Sequence, residues 1–535
     1  MSEPDQVDVV VVGAGAAGMY MVHKLHSMGL TVRCFEAGAD VGGTWYWNRY
    51  PGARCDVESI DYSYSFDPEL EQEWDWSERY ATQPEILRYL RHVADRYGLR
   101  RFIIFSTRVV SARFDEPAGQ WRVRTDSGET VSARFCVFAT GSLSDVRVPG
   151  FPGLDEFTGS WYHTARWPHR EVDFTGRRVG VIGTGSSGIQ CAPVIARQAA
   201  HLYVFQRTAN FSIPAQNQPH TPQSRAAYKA TYAERRRKSR ASGGGSPHET
   251  YPKNTLETTP EERRAIFERQ WQLGGVLFSK TFPDQLRDRA ANDEAVAFFT
   301  EKVRAMVGDP AIADLLLPND HPIGTKRICT DTDYYQTFNR DNVTLVDVRS
   351  APIERITRAG IRTAAAEYEL DDIVFATGFD AMTGALAKID IRGRDGLALR
   401  DAWSAGPRTY LGLMVAGFPN MFVVTGPGSP SVLANMILAA EQHVEWIAEA
   451  IGHLDRTGRS TIEPAAHAQD GWVDYCNELA GQTLFPEANS WYLGANVPGK
   501  PRVFMPFIGG LGAYREICAE VARDGYRGFD LKESV

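Results

Sequence analysis

The sequence contains no apolar run that approaches the ~18 residues that a membrane-spanning helix needs. Its first residues, MSEPDQVD, are acidic and lead into an apolar strand pattern, without the charged and apolar regions of a secretory signal. These absences argue against an integral membrane protein and against a secreted one. We therefore expect a cytoplasmic protein with no membrane partner.

Cysteine is scarce, with seven residues in a chain of 535, and no two of them form a C-x-x-C pair. A low, odd number of scattered cysteines argues against a disulfide framework and against a zinc site. It is typical of free thiols in a reducing compartment. We expect no metal cofactor.

An excess of positive charge is also lacking, since 58 Lys and Arg residues stand against 66 Asp and Glu residues, a net charge of −8. Proteins that bind nucleic acids carry basic surfaces. The short basic run YAERRRKSR, residues 232–240, is interpreted as a solvated helix face. We expect no nucleic-acid partner and, without an interaction tail or coiled coil, no obligate protein partner.

Two glycine-rich turns stand out in a chain long enough for about two or three domains. Each follows an apolar strand pattern and opens a helix pattern. In G-x-G-x-x-G turns of this kind the backbone approaches a pyrophosphate, and the helix N-terminus attracts its charge. The predicted phosphate-binding glycines are Gly13, Gly15 and Gly18 in the first turn (GAGAAG) and Gly183, Gly185 and Gly188 in the second (GTGSSG).

The ends of the strands that follow differ between the two copies. Glu36 ends the first, and a carboxylate there accepts hydrogen bonds from ribose hydroxyls but repels a 2′-phosphate, which predicts FAD or NAD. Gln206, at the equivalent position, is neutral and is followed by Arg207 and Thr208, which suit the 2′-phosphate of NADP. An ordinary surface charge is the alternative interpretation of Arg207.

Two such units predict an α/β fold with two dinucleotide-binding, Rossmann-like domains, as in the flavoproteins that bind two dinucleotides. The segments CVFATGS and IVFATGF, each a strand pattern before a Thr-Gly turn, are typical of chain crossings between such domains. Helix patterns around the breaker SGGGSP predict a mostly helical insertion. The predicted division is an FAD-binding domain (1–142 and 380–535), an NADP-binding domain (143–215 and 326–379) and an insertion in the latter (216–325).

A disulfide reductase would carry a redox dithiol soon after the first unit. This chain instead has GGTWYWNRYPGARCD at residues 42–56, with tryptophans and a single cysteine. A dithiol relay is therefore excluded. Oxygen is the remaining obvious electron acceptor.

The segment FTGSWYHTARWP, residues 157–168, is expected to be neither a strand nor a clean helix. It matches F-x-G-x-x-x-H-x-x-x-W-P throughout, and the chain thereby resembles the type I Baeyer–Villiger monooxygenases. GGTWYWNRYPGARCD is similar to a second segment of that family, and the likeness continues through HPIGTKR, GPGSPSVLANM and SWYLGANVPGKPRVFMPF. The chain looks most similar to the members that act on phenylacetone and steroid ketones.

The resemblance implies an NADPH- and O2-dependent flavoprotein, with FAD and NADP(H) as cofactors, that converts ketones to esters or lactones through a flavin C4a-peroxide. The implied substrates are bulky, hydrophobic aryl or steroid ketones. Arg327 matches the family's catalytic arginine, and Asp56 matches the carboxylate that pairs with it. A structural salt bridge for Arg327 and an independent turn for Asp56 are the alternatives.

The resemblance also assigns roles to other positions. The further cofactor-binding residues are Trp45, Tyr62, Thr184, Ser186, Gln190, Lys326 and Trp491. The hinge residues, expected to couple domain movement to cofactor positioning, are Phe157, Gly159, His163 and Trp167. The residues expected to line the ketone pocket are Tyr50, Leu143, Ser431, Val432 and Leu433. By residue type alone, the apolar and aromatic members are interpreted as packing residues, and Phe157, Trp161 and Trp167 would pack between domains. On the same basis, His163 would be a hydrogen-bonded linker histidine and Lys326 an exposed lysine.

Two other functions stay open. A flavin monooxygenase that hydroxylates nitrogen or sulfur needs a protonated hydroperoxide, and Trp167-Pro168 and Arg327 count against it. A redox-sensing flavoprotein would consume NADPH slowly, whatever the substrate, and form no oxygenated product.

Overall fold

The computed structural model describes residues 5–533. Its twenty strands within that range are β1 (Asp5–Val12), β2 (Val32–Phe35), β3 (Ile103–Ile104), β4 (Val109–Asp115), β5 (Gln120–Thr125), β6 (Thr130–Phe138), β7 (Ser160–His163), β8 (Arg178–Ile182), β9 (His201–Gln206), β10 (Ser212–Pro214), β11 (Cys329–Asp331), β12 (Val343–Asp347), β13 (Ile353–Thr357), β14 (Gly360–Thr363), β15 (Glu367–Glu369), β16 (Asp372–Phe375), β17 (Asp390–Arg392), β18 (Met421–Val423), β19 (Arg459–Pro464) and β20 (Phe529–Glu533).

The α-helices of the same range are α1 (Ala16–Ser27), α2 (Thr44–Trp47), α3 (Pro68–Glu73), α4 (Gln83–Arg96), α5 (Ser186–Gln198), α6 (Pro222–Ala241), α7 (Pro260–Leu273), α8 (Arg289–Met306), α9 (Pro310–Leu315), α10 (Tyr334–Thr337), α11 (Gly384–Ala387), α12 (Leu399–Ala402), α13 (Met436–Thr457), α14 (Ala466–Gly481) and α15 (Leu511–Arg523). None of these helices, within residues 5–533, is both long and apolar enough to cross a membrane.

The first sheet has the strand order β17-β4-β5-β6-β1-β2-β3. Strand β18 pairs with the C-terminal end of β6, beyond the residues of β6 that pair with β5. Its central strands β6, β1 and β2 are parallel, and their ends are in register, since Val12 pairs with both Phe35 and Phe138. Alternate residues of β1 point into two different cores, Val9 and Val11 into one, Val10 and Val12 into the other. Burial on both faces explains the unbroken valine run.

The second sheet has the order β12-β9-β8-β16-β7 and is parallel throughout. Ile182, at the end of β8, pairs with Phe205 and Phe375, as Val12 pairs in the first sheet. The two predicted strand-turn-helix units and the α/β fold class are thus confirmed. The predicted domain boundaries stay a prediction, because sheet membership does not fix where a domain ends.

The helical insertion is divided between the two cores. Tyr228 and Tyr232 of α6 pack into a core that includes β1, α1 and α13, whereas α7 and α8 pack into the core of the second sheet. The expectation that residues 232–240 form a solvated face holds for Arg237 and Lys238, which are exposed, but is wrong for Arg236. Arg236 is only 2% exposed, and its Nε donates to Glu71 Oε1 at 2.7 Å. Only the tertiary structure brings this carboxylate from α3 to helix α6.

All seven cysteines are buried and free. Among residues 5–533, no three or more His, Cys, Asp and Glu side chains are arranged to hold a metal ion.

Candidate active site

The first glycine-rich turn is held by close backbone contact. Gly13 has φ +103°, and a Cβ there would lie 2.6 Å from the Ala139 carbonyl oxygen. A Cβ at Gly18 would lie 1.8 Å from the Gly13 carbonyl oxygen. Gly15 precedes α1 without a side-chain cap, and the first turn of that helix has no acidic residue. The free amides at this helix N-terminus therefore fit a pyrophosphate.

Glu36 lies just beyond β2, beside that turn, and is buried. Its Oε2 accepts from the Ala14 amide at 2.7 Å and its Oε1 from the Gly38 amide at 2.6 Å. Burial raises the pKa of Glu36, and these amides oppose the rise. The carboxylate is thus fixed at the strand end, with further lone pairs for ribose hydroxyls.

The second turn repeats the first. A Cβ at Gly183 would lie 2.5 Å from the Ala376 carbonyl oxygen, and one at Gly188 would lie 2.0 Å from the Gly183 carbonyl oxygen. Gly185 precedes α5 without a side-chain cap, and a Cβ there would meet no atom within 4 Å. This open approach fits a second pyrophosphate.

Polar side chains surround the second turn. Thr184 Oγ1 donates to the Thr208 carbonyl at 2.7 Å, and Ser186 Oγ lies 3.3 Å from Cys329 Sγ. Gln206 Nε2 donates to the Leu315 carbonyl at 2.7 Å, while its buried Oε1 has no partner among the described residues. The strand end therefore keeps a free acceptor where the first turn has a carboxylate.

Arg207 directly follows that strand end, and Lys326, from a distant part of the chain, lies within reach of its charge. Arg207 is exposed, and its charge acts on Lys326, whose Nζ lies 3.7 Å from Asp320 Oδ2. Burial lowers the pKa of Lys326, and the Asp320 carboxylate opposes this change. Since Lys326 is mostly buried, the interpretation as an exposed lysine is wrong.

Arg327 and Asp56 form a bidentate ion pair, as predicted. Arg327 Nε lies 2.9 Å from Asp56 Oδ2, and Nη2 lies 2.7 Å from Oδ1. Nη1 donates to the Val432 carbonyl at 2.7 Å. Burial alone would lower the pKa of Arg327, but the Asp56 carboxylate outweighs it and the pKa is raised. The guanidinium is therefore charged at any working pH.

A cavity of about 910 Å³ opens at this pair. Leu433 and Tyr492 are among its walls, as are parts of the insertion at 243–252 and 276–281. A polar pair at the wall of a large, partly apolar cavity is the usual form of a small-molecule active site.

Only one of the five residues predicted to line the ketone pocket lies at the cavity wall. Leu433 lines the cavity, whereas Leu143 and Val432 pack in a neighbouring apolar cluster, where Val432 contributes its carbonyl to Arg327. Ser431 is fully buried, and its Oγ lies 3.1 Å from Ser142 Oγ. Tyr50 is not among the lining residues; it packs in the core of the second sheet, and its hydroxyl donates to Gln190 Oε1 at 2.8 Å.

That Tyr50–Gln190 contact joins the two nucleotide-binding halves. Gln190 Nε2 also donates to the Arg54 carbonyl at 3.2 Å. The amide of Gln190 thus has protein partners in the segment that follows α2, and it links helix α5 to that segment. Its prediction as a cofactor-binding residue stays untested.

Three predicted cofactor contacts are aromatic. Trp45 Nε1 donates to the Tyr62 hydroxyl at 3.2 Å, and their rings meet edge to face at 5.8 Å. Burial raises the pKa of Tyr62. Trp491 is partly buried, and its ring lies tilted by 54° against that of Tyr492 with centroids 4.3 Å apart. The Tyr492 hydroxyl in turn is close to Arg327.

The connecting segment 157–168 is more regular than expected. Residues 160–163 form the edge strand β7, paired in parallel with β16, and a 3₁₀ turn at 164–166 follows. His163 Nε2 lies 3.2 Å from both the Arg147 carbonyl and Thr377 Oγ1, while Nδ1 accepts from the Ala165 amide. Burial lowers the pKa of His163 to about 4. A neutral histidine therefore ties the two chain crossings together.

The other signature residues pack around this strand. A Cβ at Gly159 would lie 2.3 Å from the Asp371 carbonyl oxygen. Phe157 and Trp167 pack on opposite faces of the second sheet, in different cores. Trp161 is 44% exposed, so its expected packing between domains is wrong.

Some site residues were not predicted from the sequence. Gly244 and Lys280, from the insertion, line the cavity, and so does Asn435, whose Nδ2 donates to the Asp61 carbonyl at 2.7 Å. The glycine run in SGGGSP was a usable signal, because glycines mark close backbone approach. Lys280 has no local sequence signal.

Comparison with known proteins places this geometry among flavin-dependent oxygenases. A family model described as flavin-binding monooxygenase-like matches residues 6–222. An acetone monooxygenase (methyl acetate-forming) of Gordonia sp. (strain TY-5) is 45% identical over 98% of this chain and 99% of its own. A Baeyer-Villiger monooxygenase of Pseudooceanicola batsensis is 45% identical over 97% and 95%.

Two further similarities bear on the reaction. A phenazine N-monooxygenase of Lysobacter antibioticus is 42% identical over 98% of this chain and 97% of its own. Among solved structures, an oxidized steroid monooxygenase bound to NADP superposes with a TM-score of 0.96 at 64% identity, covering 99% of this chain and 100% of that one.

Proposed function

Because this chain belongs to the Baeyer–Villiger monooxygenases, we propose that it uses NADPH and O2 to convert a ketone into an ester or lactone. The observation that carries the proposal is the bidentate pair of Arg327 and Asp56 at the wall of the large cavity. One oxygen atom enters the product, and the other leaves as water with two electrons from NADPH. The proposal includes a cytoplasmic location without an obligate protein partner.

The two cofactors are assigned by the two strand ends. FAD fits the first turn, where Glu36 is fixed for ribose hydroxyls, and NADP fits the second, where Arg207 and Lys326 supply positive charge. Similar solved chains carry NADP, or FAD and NADP together, which supports this assignment. FAD, when bound, supplies the step that carries two electrons from NADPH to O2.

Arg327 is proposed to stabilise negative charge on oxygen. Its guanidinium has five N–H donors, of which Asp56 takes two, the Val432 carbonyl takes one and the Tyr492 hydroxyl is placed to accept another. One donor remains for the ketone oxygen as its carbonyl carbon is attacked. Asp56 holds the plane of the guanidinium, so this donor is oriented before the reaction begins.

Bulky hydrophobic ketones are the proposed substrate class. A cavity of about 910 Å³ accommodates an aryl or steroid ketone, and its walls include Leu433, Phe507 and Ile508. The 64% identity to a steroid monooxygenase supports the same class. The acetone monooxygenase among the relatives shows that family membership alone does not set substrate size.

The test is product formation under ¹⁸O2 with NADPH and phenylacetone. We expect benzyl acetate with one ¹⁸O atom in its bridging ester oxygen, and one NADP⁺ per ester. Hydrogen peroxide in amounts equal to the NADPH consumed, with no ester from phenylacetone or progesterone, would contradict the proposal and favour an oxidase or sensor.

N-oxidation is a second candidate, favoured by the phenazine N-monooxygenase among the relatives. The same assay with phenazine, or with thioanisole for sulfur, separates the two reactions. A kcat/KM for N-oxide formation above that for every ketone tested would make heteroatom oxidation the main activity.

A further inference from the structure

Lys280 is a cavity residue whose charge has no ion-pair partner within residues 5–533. Its side chain lies at the wall of the cavity, where a Cβ on Gly244 would lie 3.2 Å from its Nζ. Among residues 5–533, no carboxylate forms an ion pair with Lys280, and Arg327 is the only charged group that acts on it appreciably. Burial and Arg327 both lower the pKa of Lys280. Its environment thus lacks an anion.

Of the six other Lys and Arg residues that line the cavity, Arg269 and Arg287 are exposed, and the remaining four are paired with carboxylates. These pairs are Arg327 with Asp56 (2.7 Å), Arg235 with Asp61 (2.6 Å), Arg79 with Glu58 (2.8 Å) and Lys326 with Asp320 (3.7 Å). The lining has seven Lys and Arg residues against four Asp and Glu residues. Lys280 is therefore the lining cation that is neither exposed nor paired with a carboxylate among residues 5–533.

We propose that Lys280 binds an anionic group, a carboxylate, on the far end of the ketone from the reacting carbonyl. This inference rests on the proposed ketone oxidation and adds charge selection to it. Keto acids with an apolar body then become preferred substrates, since Arg327 takes the carbonyl end and Lys280 the acid end.

A phosphate of NADP is the other anion that Lys280 could meet. The surrounding charges argue against a phosphate of NADP as the partner of Lys280. The pKa of Lys326 is shifted by Arg207, Asp320 and Arg349, whereas none of these three groups shifts the pKa of Lys280. Lys280 therefore lies on the side of the cavity where Arg327 is, and not beside Arg207 and Lys326, the cations proposed to bind NADP.

The test compares 4-(2-oxopropyl)benzoate with its neutral isostere, 4-(2-oxopropyl)benzamide, in the holoenzyme. The wild type is expected to show the higher kcat/KM for the benzoate. In K280M that preference falls about tenfold, mainly through KM, as expected for the loss of one charged hydrogen bond. K280R restores most of it, and K280E lowers it further.

The benzamide serves as an internal reference. A loss of activity in K280M that affects both ketones equally cancels in the ratio of the two kcat/KM values. Lys238→Met, at an exposed lysine of α6 paired with Glu234, is the matched control and leaves the ratio as it is. An unchanged ratio in K280M overturns the proposal. A rise in the KM for NADPH with equal losses on both ketones also overturns it, and assigns Lys280 to the cofactor.

A binding measurement on the wild type needs neither a variant nor turnover. Titration calorimetry of the holoenzyme with 4-methylbenzoate and 4-methylbenzamide is expected to give the lower Kd for the anion, with an advantage that shrinks as salt rises. Equal Kd values overturn the proposal for Lys280. Tight benzoate binding without any ester product would instead contradict the proposed function and leave the anion site standing.

Discussion

The two glycine-rich turns are alike in their backbone and differ in their charge. In both, the first glycine lies against a carbonyl at the end of the neighbouring strand, Ala139 or Ala376, and the third lies against the first. The strand ends then diverge, with Glu36 bonded to two amides and Gln206 bonded to one carbonyl. On the proposed assignment, the same backbone geometry serves two nucleotides, and the side chains at the strand end set which one is bound.

The largest effect is expected from filling the shared backbone contact. Gly18→Ala forces a Cβ to 1.8 Å from a carbonyl oxygen, and we expect loss of bound FAD and of all activity. Gly188→Ala does the same at the second turn, at 2.0 Å, and should spare FAD but abolish reduction by NADPH. Flavin absorbance after purification, with NADPH reduction under anaerobic conditions, distinguishes them.

Gly471→Ala is the control for these substitutions. Gly471 lies within α14, and a Cβ there meets nothing within 4 Å, so we expect activity to persist and stability to rise by about 1 kcal/mol. Equal FAD retention in Gly18→Ala and Gly188→Ala would show that the two turns do not bind different nucleotides.

The second-largest effect is expected at Arg327, which lies at the cavity and is paired with Asp56. Arg327→Ala removes the donor proposed for the ketone oxygen, and we expect ester formation to fall by roughly 10²–10³-fold. NADPH oxidation should continue with hydrogen peroxide as product. Arg197→Ala, at an exposed arginine paired with Asp333, is the control and should change neither rate. Ester formation within threefold of wild type in Arg327→Ala would remove this residue from the reaction.

A substitution at Arg207 tests whether the charge at the second strand end selects NADPH over NADH. Arg207→Ala should raise the KM for NADPH about tenfold and leave that for NADH nearly constant, because only NADPH carries the 2′-phosphate. Steady-state kinetics with both coenzymes check this expectation. Equal changes for the two coenzymes would assign Arg207 a role away from the phosphate.

The smallest effect concerns the connection between the halves. His163 has a pKa of about 4 in the folded chain against an ordinary histidine value of 6.5, so the unfolded chain binds the proton more readily. The stability that this neutral histidine contributes is present above pH 6.5 and is lost as pH falls towards 4, at about 1 kcal/mol per pH unit. His163→Gln should flatten the pH dependence of Tm between these values. An unaltered slope would show that other groups dominate it.

Several features followed from local patterns. The valine run of β1 and both glycine turns were predictable because burial on two faces and close backbone approach leave direct marks in a sequence. The Arg327–Asp56 pair was predicted only through a family resemblance, since its partners are 271 residues apart.

Other features depend on which elements the fold brings together. Arg236 looked solvated because the sequence does not place Glu71 beside it, and the segment 160–163 looked irregular because its pairing partner β16 is far along the chain. The placement of Tyr50 against Gln190, away from the cavity lining, has the same cause.

The sequence by itself determined the two nucleotide-binding units, their order and the charge at each strand end, because strand period, glycine spacing and residue type are local properties. Only the tertiary structure decided that helix α6 joins the first core and that Arg327 meets Asp56 and Val432. It also decided that Lys280 lies in the cavity without an ion-pair partner in the described part of the chain. These arrangements depend on the packing of distant segments, which sets both burial and the distances over which charges act.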